Sequence, residues 1–319
     1  MIHFIRLTRP VNLVIIAITM YGLGWYFEGL ANVQAFGIQS FDFFLLVLST
    51  TMIAAAGNII NDYFDVRADR VNKPERLIIG VTIKRRVAIV THWGINFLAF
   101  SIAAYLSWRM DTFWYVFIHL LSINMLWYYS SYFKRKFLIG NIMIAGLTAM
   151  VPLLVGLYYF QSYELASASR ANVIFEFPFV GFTNKTLLIF LSVALAGYAF
   201  LLNLAREIVK DMEDVKGDEN IKAQTLPIVL GSKTSKLVII LILAFSIVMT
   251  GFVTFFFPTI EFIALIPLYL SAILVIFAII MLLLAKEKLK YKMVNMWIKL
   301  AMVVGLFSPV YWKLLLYYA

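Results

Sequence analysis

The sequence predicts an all-α integral membrane protein with nine transmembrane helices. Of its 319 residues, 63% are hydrophobic and only 14% are charged, whereas soluble domains average about 45–50% and about 25%. The hydrophobic residues recur in runs of about 20, the helical length that crosses a bilayer core of about 30 Å. Because no long polar linker interrupts these runs, we expect residues 1–319 to form a single transmembrane domain.

The apolar runs place the nine spans in order along the chain. They lie near residues 11–28, 41–62, 87–107, 112–131, 138–160, 186–208, 237–256, 260–285 and 294–316. Two arginines precede the first run, as in a signal peptide, but the run continues for transmembrane length without an evident cleavage site. We therefore expect a retained first helix. A short gap, at Trp108 to Asp111, separates spans three and four. The longest outer loop, at 161–185, has no pattern with an evident chemical role.

The distribution of Lys and Arg predicts the orientation of the chain. With a cytoplasmic N-terminus, the outer segments contain only Arg109, Arg170 and Lys185, and nearly all other cations fall in inner loops. This asymmetry is typical of multi-pass membrane proteins, so the net charge of +10 gives no reason to expect a nucleic-acid partner. The chain has no cysteine, which excludes disulfides, thiolate metal sites and cysteine nucleophiles.

A first acidic cluster follows span two. Asn58, Asp62, Asp65 and Asp69 fall within roughly a 60° arc of one helix face. Carboxylates at the end of a hydrophobic helix are costly unless a cation meets them. We expect that cation to be Mg²⁺, carrying a diphosphate, with the site at the cytoplasmic face. The simpler alternative is a solvated helix end with ordinary local pairs, such as Asp65 with Arg67.

A second acidic cluster follows span six with similar spacing. Glu207, Asp211, Asp214 and Asp218 would share one helix face, although Gly217 is expected to end the helix and leave Asp218 on a loop. Mg²⁺ prefers hard oxygen ligands, typically one or two carboxylates together with substrate phosphates. The matching positions of the two clusters predict two four-helix pseudo-repeats plus one further helix.

Basic residues near these clusters could bind phosphate. Lys73 and Arg76 follow the first cluster, and Lys134, Arg135 and Lys136 fill the loop after span four. A diphosphate leaving group needs positioned cations as its bond to carbon breaks. For the Lys134 loop the positive-inside rule alone is an alternative explanation. Arg9 and Asn12 open the first span, where topology and helix capping would also explain them.

These motifs together resemble those of the UbiA-type intramembrane prenyltransferases. Residues 61–69 match the family's NDxxDxxxD pattern, and Asp214 and Asp218 match its second motif, DxxxD, with Asp211 preceding them. The Thr-Arg-Pro-x-Asn stretch at 8–12 and the Asn-Lys-Pro-x-Arg stretch at 72–76 also resemble the family. After Asn-Lys-Pro the family often continues Arg-Pro-Leu, whereas this chain continues Glu75-Arg76-Leu77-Ile78.

The resemblance implies a nine-helix bundle around a central cavity that opens to the cytoplasm. Mg²⁺ held by both motifs would bind an isoprenyl diphosphate, and ionisation would give an allylic carbocation that an acceptor captures. The implied catalytic residues are Asp62, Asp65, Asp69, Asp211, Asp214, Asp218, Lys134 and Arg135, of which the six aspartates would hold the metal. The implied substrate-binding residues are Asn12, Asn58, Asn61, Lys73, Arg76, Arg206 and Glu207.

The acceptor remains open among several classes. The segment from Arg206 to Asp218 most resembles the branch that transfers a geranylgeranyl group to geranylgeranylglyceryl phosphate. Prenylation of an aromatic quinone precursor is the alternative within the family. The expected partners are therefore an isoprenyl diphosphate, a lipophilic acceptor and membrane lipid. A cation-coupled transporter is the alternative from another class, although it should carry acidic residues near mid-span.

Overall fold

A computed structural model describes residues 2–30, 38–72, 74–168, 186–256 and 262–318. The described residues are almost entirely helical, and their only strand-like pairing is an isolated bridge between Ile79 and Ile83. The helices, labelled in chain order, are α1 Ile2–Thr8, α2 Pro10–Leu30, α3 Ser40–Asn72, α4 Arg85–Arg109, α5 Tyr115–Ser131, α6 Ile139–Ala168, α7 Thr186–Asn220, α8 Leu226–Phe256, α9 Phe262–Leu284, α10 Lys288–Leu306 and α11 Ser308–Tyr318.

The helix lengths and compositions confirm a polytopic membrane protein. Eight helical segments in the described residues are long and apolar enough to cross a membrane. The predicted span at 112–131 corresponds to α5, whose 17 residues lie at the lower limit for a transmembrane helix. The predicted gap between spans three and four is also present. There α4 ends at Arg109, and Asp111 turns the chain with a φ of 52°.

Several helices extend beyond the predicted spans. α8 begins at Leu226 rather than near 237, although Gly231 interrupts its helical geometry with a φ of 76°. α10 begins at Lys288 rather than near 294, and α6 continues to Ala168, into the predicted outer loop. Hydropathy marks the apolar portion of a helix, whereas polar turns at its ends can remain helical. The rest of that loop, from residue 169, lies outside the described residues.

The prediction that Gly217 ends the second acidic helix is wrong. α7 continues to Asn220, so Asp218 is helical and shares its element with Asp211 and Asp214. The left-handed residue that closes the helix is instead Lys222, just after its end, with a φ of 54°. The backbone N–H of Ala223 donates to the Asp218 carbonyl at 2.9 Å, and that of Lys222 donates to the Glu219 carbonyl at 3.0 Å. This is the hydrogen-bond pattern of a Schellman motif.

The described chain divides into two compact units. Unit 1 contains 1–17, 39–144 and 214–231, and unit 2 contains 18–38, 145–213 and 232–319. In unit 1, Leu7, Ile59 and Val66 form a buried cluster with Ile79 and Ile83. In unit 2, the Ser271 hydroxyl of α9 donates to the Ala301 carbonyl of α10 at 2.6 Å and also bonds Tyr198 of α7.

The stretch that departs from the family pattern packs into the core of unit 1. Leu77 and Ile78 are partly buried against the Leu7–Ile59–Val66 cluster, and Ile79 is 2% exposed. A tight turn joins Gly80 to Ile83 through a backbone hydrogen bond of 2.8 Å. These apolar side chains anchor the segment between the acidic end of α3 and the start of α4.

Candidate active site

The first acidic motif lies on a continuous helix. α3 runs unbroken to Asn72, so Asn58, Asp62, Asp65 and Asp69 project from one face of its C-terminal part, as predicted. The Asp65 side chain is 12% exposed and that of Asp62 is 25% exposed. Partly buried carboxylates at a helix C-terminus oppose the helix dipole and need a positive partner. Two basic side chains meet that need in unit 1.

Arg9 provides the partner of Asp62. Its Nη2 atom lies 2.5 Å from Asp62 Oδ1. Arg9 forms the junction between α1 and α2 and has a φ of 54°, a left-handed conformation that non-glycine residues adopt infrequently. A second contact also holds this junction against α3, since Asn58 Nδ2 donates to the Thr8 carbonyl at 2.9 Å. The N-terminal segment is therefore fixed directly to the acidic face of α3.

Lys134 provides the partner of Asp65. Its ammonium donates to Asp65 Oδ2 and, at 3.1 Å, to Asn61 Oδ1, while Asn61 Nδ2 donates to the same Asp65 oxygen at 2.9 Å. Burial favours the neutral form of Lys134, but the Asp65 carboxylate outweighs burial and raises the pKa of Lys134 above its ordinary value. Lys134 therefore stays protonated at neutral pH. This long-range pair replaces the local pairing with Arg67 that the alternative interpretation requires.

Arg135 connects the Lys134 loop to two other parts of unit 1. Its Nη2 atom donates to the Phe64 carbonyl of α3 at 3.4 Å, and its own carbonyl accepts the backbone N–H of Gln224 at 2.9 Å. Gln224 follows the Schellman motif that ends α7. The end of α7 that carries Asp214 and Asp218 therefore belongs to the same compact unit as the first motif.

The beginning of the second motif lies in unit 2. Glu207 is 6% exposed and accepts hydrogen bonds from Arg206 Nη1 at 3.0 Å and from Lys210 Nζ at 2.7 Å. Arg206 also donates to Asn203 Oδ1 at 2.9 Å. Asp211 follows Glu207 by one helical turn and belongs to this unit as well.

Three other predicted site residues are less closely defined. Asn12 lies in the first turn of α2, where its backbone N–H donates to the Arg9 carbonyl at 2.9 Å. Arg76 ends a short 3-10 helix at Pro74–Arg76, but its side chain lies outside the described residues. Lys73 also lies outside them.

The donor atoms of the first motif fit Mg²⁺ chemically. Carboxylate and amide oxygens are the hard ligands that this ion accepts, together with water and substrate phosphate. Within the described residues, however, no three acidic or histidine side chains are gathered as a ready metal cluster. Arg9 and Lys134 instead bind the oxygens of Asp62 and Asp65.

A family model for the UbiA prenyltransferase family matches residues 14–303. The chain belongs to this family. The UbiA chain is 33% identical over 234 residues to the digeranylgeranylglyceryl phosphate synthase of Methanothermobacter thermautotrophicus, covering 73% of this chain and 68% of the relative. This membership makes the protein a prenyltransferase and decides against the transporter alternative.

Solved structures share the fold of this UbiA chain. One, of digeranylgeranylglyceryl phosphate synthase in membranes, has a TM-score of 0.66 at 23% identity and covers 98% of this chain and 97% of its own. Another is a UbiA homolog from Archaeoglobus fulgidus bound to GPP and Mg²⁺. It has a TM-score of 0.54 at 17% identity and covers 97% of this chain and 99% of its own.

The sequence made Arg9 a possible phosphate ligand of this UbiA protein but did not place it among the implied catalytic or substrate-binding residues. Its position before the first span was explained by topology, and its contact with Asp62 joins residues 53 positions apart. The signal was nevertheless present, because Arg9 belongs to the Thr-Arg-Pro-x-Asn stretch that resembles the family.

Proposed function

We propose that this UbiA prenyltransferase transfers a geranylgeranyl group from geranylgeranyl diphosphate to the hydroxyl of geranylgeranylglyceryl phosphate. The observation that carries the diphosphate part is the pairing of Asp62 with Arg9 and of Asp65 with Lys134. Such a site contains oxygen ligands for a divalent metal and cations for a phosphate within the same few side chains. Neither component alone suffices for a metal-bound diphosphate.

The aspartates of unit 1 have the metal-binding role in this proposal. Asp62, Asp65, Asp69, Asp214 and Asp218 hold Mg²⁺ directly or through water, and Asn61 orients Asp65 through its hydrogen bond. When bound, the metal neutralises the diphosphate oxygens and so makes diphosphate a better leaving group. Asp211 belongs to unit 2, and its metal-binding role stays a prediction from the sequence pattern.

The basic residues of the site bind phosphate in this proposal. If Asp62 and Asp65 held a metal, Arg9 and Lys134 would contact the diphosphate, with Arg135 beside them. Charge-assisted hydrogen bonds of this kind are about twice as strong as neutral ones. The C–O bond of the donor then breaks, the allylic cation is captured by the acceptor oxygen, and the hydroxyl proton is lost to solvent or buffer.

The acceptor assignment rests on the named relatives and on the sequence of α7 from Arg206 to Asp218. The Methanothermobacter relative, at 33% identity, bears the name of an enzyme whose product is digeranylgeranylglyceryl phosphate. We place the N-terminus and the site on the cytoplasmic side, because the predicted outer segments contain only Arg109, Arg170 and Lys185 among all the Lys and Arg residues of the chain.

A product assay tests the proposed reaction. Purified protein is incubated with geranylgeranyl diphosphate, Mg²⁺ and one acceptor at a time, and products are identified by mass spectrometry. We expect a digeranylgeranyl product from geranylgeranylglyceryl phosphate that disappears when EDTA is added. Prenylation of an aromatic quinone precursor in its place would identify the alternative acceptor class. Absence of an EDTA-sensitive product with every acceptor would contradict the proposal.

A further inference from the structure

A second group of charged side chains lies within unit 2, on the part of α7 that precedes the second aspartate motif. It consists of Arg206, Glu207 and Lys210 of α7 with Lys299 of α10, and we call it the α7 basic cluster. Glu207 is buried, and the Arg206 side chain is 18% exposed. The cluster shares no residue with the Asp62–Asp65 site, because its four residues are in unit 2 and that site is in unit 1.

The cluster contains more positive charges than negative ones. One carboxylate, Glu207, is shared by two cations, with Arg206 at 3.0 Å and Lys210 at 2.7 Å. A third cation, Lys299, lies close enough to Arg206 for their positive charges to repel each other. Cations of like charge brought together in a partly buried membrane protein interior are unfavourable, and such residues commonly mark a binding site.

The hydrogen-bonding capacity of the cluster is also incompletely used. Arg206 Nη1 is engaged by Asn203 and Glu207, but its Nε atom is buried without a hydrogen-bond partner among the described residues. Asn295 lies one turn before Lys299 on the same face of α10. Its Oδ1 atom is likewise buried and meets no donor in the described parts of the chain. Buried polar atoms without partners cost free energy, which a polar ligand can recover.

We propose that the α7 basic cluster binds the phosphate group of the acceptor lipid. This inference rests on the proposed function and deepens it, because it explains how a phosphate-bearing acceptor is selected over an aromatic ring. Arg206 and Lys299 contact the phosphate oxygens, while Glu207 and Asn203 hold the Arg206 guanidinium in position. The phosphate of the acceptor is preferred over the donor diphosphate because this cluster is cationic without a metal. The aspartate motifs, in contrast, attract an anion only after a metal has bound.

If the α7 basic cluster binds the acceptor phosphate, the acceptor should bind without metal, which the aspartate motifs alone would not allow. We would measure equilibrium binding of geranylgeranylglyceryl phosphate to the detergent-solubilised full chain in EDTA, and compare it with the unphosphorylated lipid geranylgeranylglycerol. Arg206→Gln and Lys299→Gln should each weaken binding of the phosphate by about 10- to 100-fold. Neither should change binding of the alcohol. Glu207 keeps Lys210 as its partner in the Arg206 variant, so its charge is not left alone.

Lys292→Gln provides a matched control. Lys292 is an exposed lysine of α10, two turns before Lys299, and its replacement should leave both affinities unchanged. Under turnover with Mg²⁺, Arg206→Gln should raise the KM for the acceptor and leave the KM for geranylgeranyl diphosphate unchanged.

Three outcomes would overturn the inference: equal wild-type affinity for phosphate and alcohol, unchanged affinity in both variants, or a selective rise in the KM for the donor. Arg206-dependent phosphate binding without any prenyl transfer would support the inference and contradict the proposed reaction. If the enzyme transfers the prenyl group to geranylgeranylglyceryl phosphate and Arg206→Gln binds that lipid as tightly as the wild type, the proposed reaction would be supported and the inference contradicted.

Discussion

Replacement of Asp62 or Asp65 with Asn is expected to reduce prenyl transfer by about a hundred- to a thousandfold. Asn keeps the size of the side chain but removes the charge that attracts a divalent metal. It also removes the carboxylate charge that faces Arg9 or Lys134. Rates would be measured at saturating concentrations of both substrates, over a range of Mg²⁺ concentrations. A metal-binding role predicts that high Mg²⁺ restores part of the lost activity.

Asp42→Asn is the control for this experiment. Asp42 lies in the first turn of the same helix, is 4% exposed and pairs with an arginine, Arg109, at 3.4 Å. Its replacement removes a buried charge from α3 at the opposite end of the helix, so it should lower thermal stability without changing the rate. Retention of more than about a tenth of wild-type activity in Asp62→Asn would contradict the proposed role, given the size expected for such interactions.

Gly140→Ala is expected to lower activity by about a hundredfold, because it displaces Lys134 without changing its charge. A Cβ atom at residue 140 would lie 2.7 Å from the Phe133 carbonyl oxygen and 2.9 Å from Lys134 Cα. Both contacts are with backbone, which cannot turn aside as a flexible side chain can. The 3-10 helix at Phe133–Arg135 must therefore move, and the contacts of Lys134 with Asn61 and Asp65 move with it.

Gly146→Ala on the same helix is the matched comparison. A Cβ atom there meets no atom within 4 Å among the described residues, and alanine favours helix over glycine by up to about 1 kcal/mol. This variant should therefore be as active as the wild type and slightly more stable in a thermal melt. Equal activities for Gly140→Ala and Gly146→Ala would show that the position of Lys134 is not critical.

The sequence was sufficient to predict the helical membrane fold and the acidic faces. Polar groups are costly in a bilayer, so each span must be apolar along its own length. An apolar run can therefore be recognised without knowing how the helices pack. A helix face can likewise be read from spacing alone, as for Asp62, Asp65 and Asp69. The end of α7 was mispredicted because Gly217 carried the expected stop signal. The actual left-handed residue is Lys222, whose conformation depends on the hydrogen bonds that close the turn.

The partners of the carboxylates could not be predicted in the same way. Arg9 reaches Asp62 across 53 residues, and Lys134 reaches Asp65 across 69. Such contacts depend on how the helices pack, which spacing within one helix does not define. The positive-inside rule explained these cations equally well by topology. The same reasoning applies to Lys299 of α10, which is repelled by the charge of Arg206 on α7.

The continuous helices that carry both acidic motifs affect the entropy of metal binding. Ligands on a loop lose about 1–2 kcal/mol of backbone conformational entropy per residue when a metal orders them. The aspartates of α3 and α7 have lost this freedom during folding, since all of them lie within regular helix. A metal held by the proposed aspartates would order little further backbone when it binds. Its affinity would therefore depend on the carboxylate oxygens and the substrate phosphates rather than on the ordering of a loop.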